Sequence, residues 1–152
     1  MLQIKNTNLG ALNGATASAD GKPQYKIGGC TIDSAATIPT GTALTGLSLA
    51  DNDFIPAGKK FFYYGAVLVK NVAGNYIPWD GAAALARGDV YIVNRTVKED
   101  DDDFLCPGGC MEGGRVYDAR LRCLAGGVWT ALTAPQKALL YAAMPLIQPV
   151  KI

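Results

Sequence analysis

Histidine is absent from this chain of 152 residues. Its absence removes the commonest general acid–base side chain, and with it any Ser-His or Cys-His nucleophile pair. Carboxylate, lysine and all-cysteine metal chemistry stay open, but the expectation is that the chain is not an enzyme and needs no cofactor. An excess of either charge is lacking too: 14 basic residues against 13 acidic ones leave a formal net charge of +1. That balance favours no clustered basic face, so no nucleic-acid partner is expected. No apolar run approaches the ~18 residues that span a bilayer, and no membrane association is expected. An Ala-x-Ala-like stretch at Ala15–Ala19 has no apolar segment before it, so it does not read as a secretory signal.

What is present favours one β-rich domain. Hydrophobic residues make up 49% of the chain, and a chain of roughly 150 residues buries about 70% of its unfolded surface. The 18 glycines and 8 prolines, many beside short apolar runs, point to short strands and many turns. The stretch Asp51–Arg95 is the expected centre. Phe61–Lys70 has the aromatic and branched content of one long strand buried on both faces. Asn71–Asn75 holds Gly74-Asn75 and reads as a hairpin loop. Tyr76–Trp79 returns antiparallel as an edge strand limited by Pro78. Val90–Val97 is a third strand, with Tyr91, Val93 and Val97 on one face and Asn94 and Thr96 on the other. Between them, Ala82–Ala86 has room for one helical turn.

The flanks are read in the same way. Met1–Gly29 is polar and small, with sparse Leu2, Ile4, Leu9 and Leu12, and is expected to be a flexible arm. The folded domain is expected over Cys30–Ile152. Short strands are expected at Thr31–Ile32 and Ala43–Leu49. Ile38-Pro39-Thr40-Gly41 resembles Ile55-Pro56-Ala57-Gly58, and each is a turn able to launch a strand. Arg115–Leu124 alternates Tyr117, Ala119, Leu121 and Cys123 with Asp118, Arg120 and Arg122, as one half-buried strand would. A strand at Val128–Leu132 follows. Thr133 and Gln136 form a capping box with Pro135 in the first turn, so a helix is expected over Ala134–Ala143 until Pro145 stops it. Leu139, Leu140, Ala143 and Met144 are placed on its buried face. Leu146–Ile152 reads as a final strand interrupted at Pro149.

Two clusters could carry chemistry. Glu99–Asp103 is a run of five acids. It lacks the alternation and central glycine of a calcium loop and reads as a solvated turn. Cys30, Cys106, Cys110 and Cys123 admit three readings: a zinc site, a Cys106–Cys110 disulfide across Pro-Gly-Gly, or buried and free thiols. The last leads, with Cys123 on an apolar face. No metal site is expected.

Ile55-Pro56-Ala57-Gly58, a strand, then Gly74-Asn75-Tyr76-Ile77-Pro78-Trp79-Asp80 and a further strand resemble the head-decoration (cement) proteins of lambda-like tailed phages. Gly114-Arg115-Val116-Tyr117 with Arg120-Leu121, the helix and the last strand extend the resemblance over about Ile38–Ile152. It implies a small β-rich, barrel- or tulip-like domain with one C-terminal helix. It also implies a homotrimer on the exterior of the virion capsid, made in the host cytoplasm and bound to the phage major capsid protein. The family's N-terminal arm orders on the shell. Here Leu2, Gln3, Ile4, Leu9 and Leu12 are the candidate capsid contacts, because Leu2 and Ile4 share one face of an extended strand that could join an exposed sheet edge. The alternatives are another virion role, in a tail or head fibre, or a small metal-binding β module or enzyme built on the acids and cysteines.

Overall fold

The computed structural model describes residues 16–41 and 58–151. Its strands are β1 (Gln24–Tyr25), β2 (Phe61–Phe62), β3 (Val67–Lys70), β4 (Tyr76–Pro78), β5 (Val90–Val93), β6 (Val97–Lys98), β7 (Cys110–Tyr117), β8 (Arg122–Ala125), β9 (Val128–Ala131) and β10 (Ile147–Val150). One helix, α1 (Ala134–Ala143), lies between β9 and β10. The central sheet runs β1-β7-β5-β3-β4, antiparallel throughout, and β10 joins β7 in parallel. Two small ribbons, β2-β6 and β8-β9, flank it. The class is β-rich with one C-terminal helix, as the sequence implies, but among the described residues the sheets stay open and no barrel closes.

The side-chain period of two divides this sheet between two cores. Leu68, Tyr76, Tyr91, Val93 and Cys110 face one core, which also holds Phe61–Tyr64, Phe104 and Trp129. Val67, Val90, Ile92 and Met111 face the other, with Trp79, Val116, Leu121 and Leu140. The sheet is therefore covered on both sides, and this explains why its strands read as apolar on both faces.

Three expected strands are each broken, and each break has a long-range cause. Phe61–Lys70 is not continuous: it turns at Tyr64-Gly65, so that β2 pairs β6 while β3 enters the central sheet. Gly65 has φ +82°, and the Arg120 carbonyl oxygen occupies the space its Cβ would need. Val90–Val97 divides at Asn94-Arg95, where Asn94 turns inward and is only 6% exposed. Tyr91, Val93 and Val97 still share the first core. Arg115–Leu124 becomes the end of β7, a 3-10 turn at Asp118–Arg120, and β8. Arg120 and Arg122 do not form a wet face. Arg122 stacks over Tyr63 and Tyr64 with its guanidinium 4.2 and 4.7 Å from the ring centres, and Arg120 lies 4.5 Å from that of Tyr117. The longest strand, and the one with most partners, is β7 rather than the expected Phe61–Lys70.

Locally determined features match the expectations. The β3–β4 hairpin turns at Asn71–Asn75, where the Asn71 carboxamide oxygen accepts from the N–H groups of Ala73 and Asn75 at 3.0 Å each, and Gly74 has φ +88°. β4 forms the edge of its sheet. At α1, Thr133 Oγ1 accepts from Gln136 N–H and Gln136 Oε1 accepts from Thr133 N–H. Leu140, Ala143 and Met144 are buried, but Leu139 is 53% exposed and does not share their face. The Ala82–Ala86 stretch forms bends rather than a helical turn. Asp80 Oδ1 accepts from the N–H groups of Ala82 and Ala83, and Trp79 Nε1 donates to the Ala83 carbonyl. Those backbone donors hold the Asp80 carboxyl below its ordinary value. Pro149 lies within β10 opposite Val116 rather than ending the strand. Thr31–Ile32 contributes one bridge, Ile32 to Tyr76. The expected strand at Ala43–Leu49 and the turn at Ile55–Ala57 lie outside the described residues.

Candidate interaction surface

Leu2, Gln3, Ile4, Leu9 and Leu12, the expected capsid contacts, lie outside the described residues. The structure does show where the segment that carries them joins the domain. Ala17 N–H donates to the Asn94 carbonyl at 2.8 Å, Tyr117 N–H donates to the Ala17 carbonyl at 2.9 Å, and Ala19 N–H donates to the Arg115 carbonyl at 2.9 Å. Ala17 is fully buried. Asn94 works as a connector: its side-chain oxygen accepts from Ser18 N–H at 2.9 Å, and its Nδ2 donates to the Tyr25 hydroxyl at 3.0 Å. A buried carboxamide with these partners satisfies its polar atoms, as burial requires. Arg120 Nη1 donates to the Thr16 carbonyl at 2.8 Å. Thr16–Ala19 is thus built into the domain, so the expected boundary at Gly29 falls too late. The arm expectation is left to Met1–Ala15.

Three arginines contact the segment at its point of entry. Arg95 bridges Thr16, Arg115 accepts from Ala19 through its carbonyl, and Arg120 clamps Thr16. Arg95 and Arg115 are exposed. These three arginines are far apart in sequence, so no motif announces their shared contact with Thr16–Ala19.

The acidic run lies elsewhere, in turns after β6. Its carboxylates serve the backbone: Glu99 Oε1 accepts from Lys60 N–H at 3.0 Å, and Asp101 Oδ2 from Lys98 N–H at 2.8 Å. Asp100 faces Lys59 at 3.5 Å with both side chains exposed, a pair of little energetic weight. Asp33, Lys60, Glu99, Asp101, Asp102 and Phe104 help to line a cleft of about 330 Å³ beside this turn. Among the described residues, no three acidic, cysteine or histidine side chains converge closely enough to hold a metal ion.

The cysteines are free thiols. This is the leading reading of the sequence; the alternative Cys106–Cys110 disulfide is not formed. Cys106 is exposed, and its thiol reaches the Gly28 carbonyl. Cys110 and Cys30 are both buried in the first core. Cys123 is buried in the second core, as its alternation implied, and burial pushes its thiol up. No protein-family model, curated protein or solved structure matches the chain.

Proposed function

We propose that this chain is a virion structural protein that binds the exterior of a mature phage capsid and stabilises it, acting as a homotrimer on the major capsid protein. The observation that supports the reading is the anchored entry of the N-terminal segment. Bonds from Thr16–Ala19 to Asn94, Arg115, Tyr117 and Arg120 tie the residues that follow Met1–Ala15 to the domain. Fifteen extended residues reach up to ~50 Å from such a point. Leu2 and Ile4 then supply one apolar face and the main chain supplies strand hydrogen bonds to an edge on the shell. Ordering about ten residues costs roughly 10–20 kcal/mol of backbone entropy, so the contact needs a large assembly and several protomers acting together. Part of what carries the resemblance to decoration proteins lies outside the described residues; the rest belongs to the same sheet or follows it. The β3–β4 hairpin is two strands away through β5, and β7, α1 and β10 follow in order.

The test is co-sedimentation with expanded, genome-filled heads that lack the protein. The full chain is expected to pellet with the heads and to raise the temperature at which they release DNA. A chain lacking Met1–Ala15 is expected to keep its melting temperature and to lose most of the binding. Undiminished binding by the truncated chain would move the contact to the folded domain. Failure of the full chain to bind heads at all would end the decoration reading.

A further inference from the structure

The helix α1 turns its polar residues inward and its apolar ones outward. Gln136 Nε2 donates to the Gly81 carbonyl at 3.2 Å, Lys137 Nζ lies 3.6 Å from Asp118 Oδ2, and the Tyr141 hydroxyl is buried. Ala134, Pro135, Ala138, Leu139 and Ala142 are exposed, and none of them has a charged or hydrogen-bonding side chain. Leu139 is 53% exposed, and Leu146, just past the helix end, is 58% exposed. A helix that closes a free surface is polar on its outer side, whereas one that is apolar there too belongs in a buried setting. Among the described residues nothing covers this face. A groove of about 190 Å³ opens where the helix ends. Val90, Tyr91, Met144 and Leu146 help to line it, with Arg87 and Glu112 as its charged members. The groove has room for one branched apolar side chain, and the same chain presents such a side chain on the helix, at Leu139.

We propose that this surface is where copies of the chain meet: Leu139 of one copy enters the groove of the next, and the outer face of α1 packs beside it. A face without charge offers nothing to a polar partner and fits one as apolar as itself, which a second copy supplies. The leucine and the groove are different patches of one chain, so the contact runs head to tail and closes into a ring. A ring of three is the homotrimer of the proposed function, and the inference rests on that part of it. The size of the contact sets its strength. Ten helical residues form a face about 15 Å long and ~10 Å wide, roughly 150 Å². Stable partners bury about 800 Å² each. Even with the groove included, the contact is too small to hold copies together in dilute solution. It closes where copies are crowded, as they are when tied to neighbouring points of a shell.

The experiment follows the mass of the full chain by sedimentation equilibrium from ~10 μM to about 1 mM, the weak end of specific association. The mean mass is expected to rise towards three copies, and amide resonances are expected to shift along α1 and at Val90-Tyr91. Leu139→Lys and Ala138→Glu place a charge on the outer face without entering the core. Each should keep the melting temperature within about 2 °C and weaken association by about tenfold or more. Val72→Lys, at a fully exposed residue of the β3–β4 hairpin, should leave association unchanged. A chain that stays single up to about 1 mM, association that survives both charged variants, or a plateau at two copies would overturn the proposal. So would a large loss of melting temperature in both variants, because the face would then be packed within one copy. No heads are used, so the two readings fail separately. Association without head binding ends the decoration reading alone, and head binding by a chain that never associates ends this inference alone.

Discussion

The two cores on opposite faces of the central sheet are built on different terms. The first is aromatic: Phe61, Phe62, Tyr63, Tyr64, Tyr76, Tyr91, Phe104 and Trp129 meet there. Its walls are short strands and turns, and its rings hold one another in tilted and edge-on contacts, such as Phe62 with Phe104 at 5.3 Å and Tyr76 with Tyr91 at 5.5 Å. The second is mostly aliphatic and is closed by α1, β8 and β10, with Trp79 as its one fully buried ring among the described residues and Tyr141 packed at its margin. Aromatic rings bury large areas from few positions, so a wall of two-residue strands can still be sealed. Small aliphatic groups need many positions and regular elements to do the same. The comparison teaches that regular secondary structure was spent on the face where side chains are small.

The sharpest way to break that arrangement is at the turn that carries the chain from β2 into the central sheet between the cores. Gly65→Ala forces an L residue to φ +82° and puts a methyl group into the Arg120 carbonyl. The expected loss exceeds about 3 kcal/mol, enough to leave little folded protein, as measured by chemical denaturation. Near-normal stability would show that the Asp118–Arg120 turn can move away freely.

The two tryptophans probe the cores one at a time. Trp79→Ala removes a fully buried ring and the bond from its Nε1 to Ala83, and is expected to cost ~3–5 kcal/mol with global loss of hydrogen-exchange protection. Trp129→Ala removes a ring that is 9% exposed and the bond from its Nε1 to the Phe61 carbonyl. Its cost is expected to be smaller, about 2–4 kcal/mol, with protection lost first around β2 and β6. Equal, global effects would mean that the two cores unfold as one.

A smaller effect is expected at the helix that closes the aliphatic side. Thr133→Ala removes the hydroxyl of the capping box and should cost ~1 kcal/mol by denaturant titration. This helix was legible in the sequence to the residue, because capping is a local interaction. The Asn71–Asn75 hairpin was legible for the same reason. The breaks at Gly65, Asn94 and Asp118–Arg120 were not. A carbonyl tucked against a distant glycine, a carboxamide receiving a distant N–H, and arginines stacked on tyrosines leave no periodic trace. Arg120 and Arg122 even counterfeited the polar face of a strand. Of the candidate site, the composition of Met1–Ala15 was readable, but the anchor at Thr16–Ala19 exists only once the chain has folded.

The smallest expected effect concerns Tyr141, whose hydroxyl is buried with no hydrogen-bond partner among the described residues. Tyr141→Phe should therefore be neutral or slightly stabilising at pH 7, by up to about 1 kcal/mol. Its pH dependence is more telling. Burial, and then Asp118, push the Tyr141 hydroxyl up to about 12, and burial with Cys30 and Tyr91 pushes Tyr76 to about 12 as well. The folded state holds these protons more tightly than the unfolded state, where the ordinary value is 10.0. The contribution of these two tyrosines to stability is thus constant below pH 10 and falls as the pH rises from 10 towards 12. Tyr141→Phe should shallow that fall, and an unchanged slope would assign it to Tyr76 and other groups.

β7 fastens both ends of the described chain at one place. Ser18 bridges Val116 on one edge, where Tyr117 N–H bonds the Ala17 carbonyl, and Pro149 is the Val116 partner on the other. With strands ~4.8 Å apart, the two ends lie about 10 Å from each other. A short linker could join them, and the exposed turns at Val72–Gly74 or Gly126-Gly127 could become new termini. Such a circular permutant is expected to keep the fold. Equally, peptides fused at the two ends of the domain would be presented side by side from a single spot.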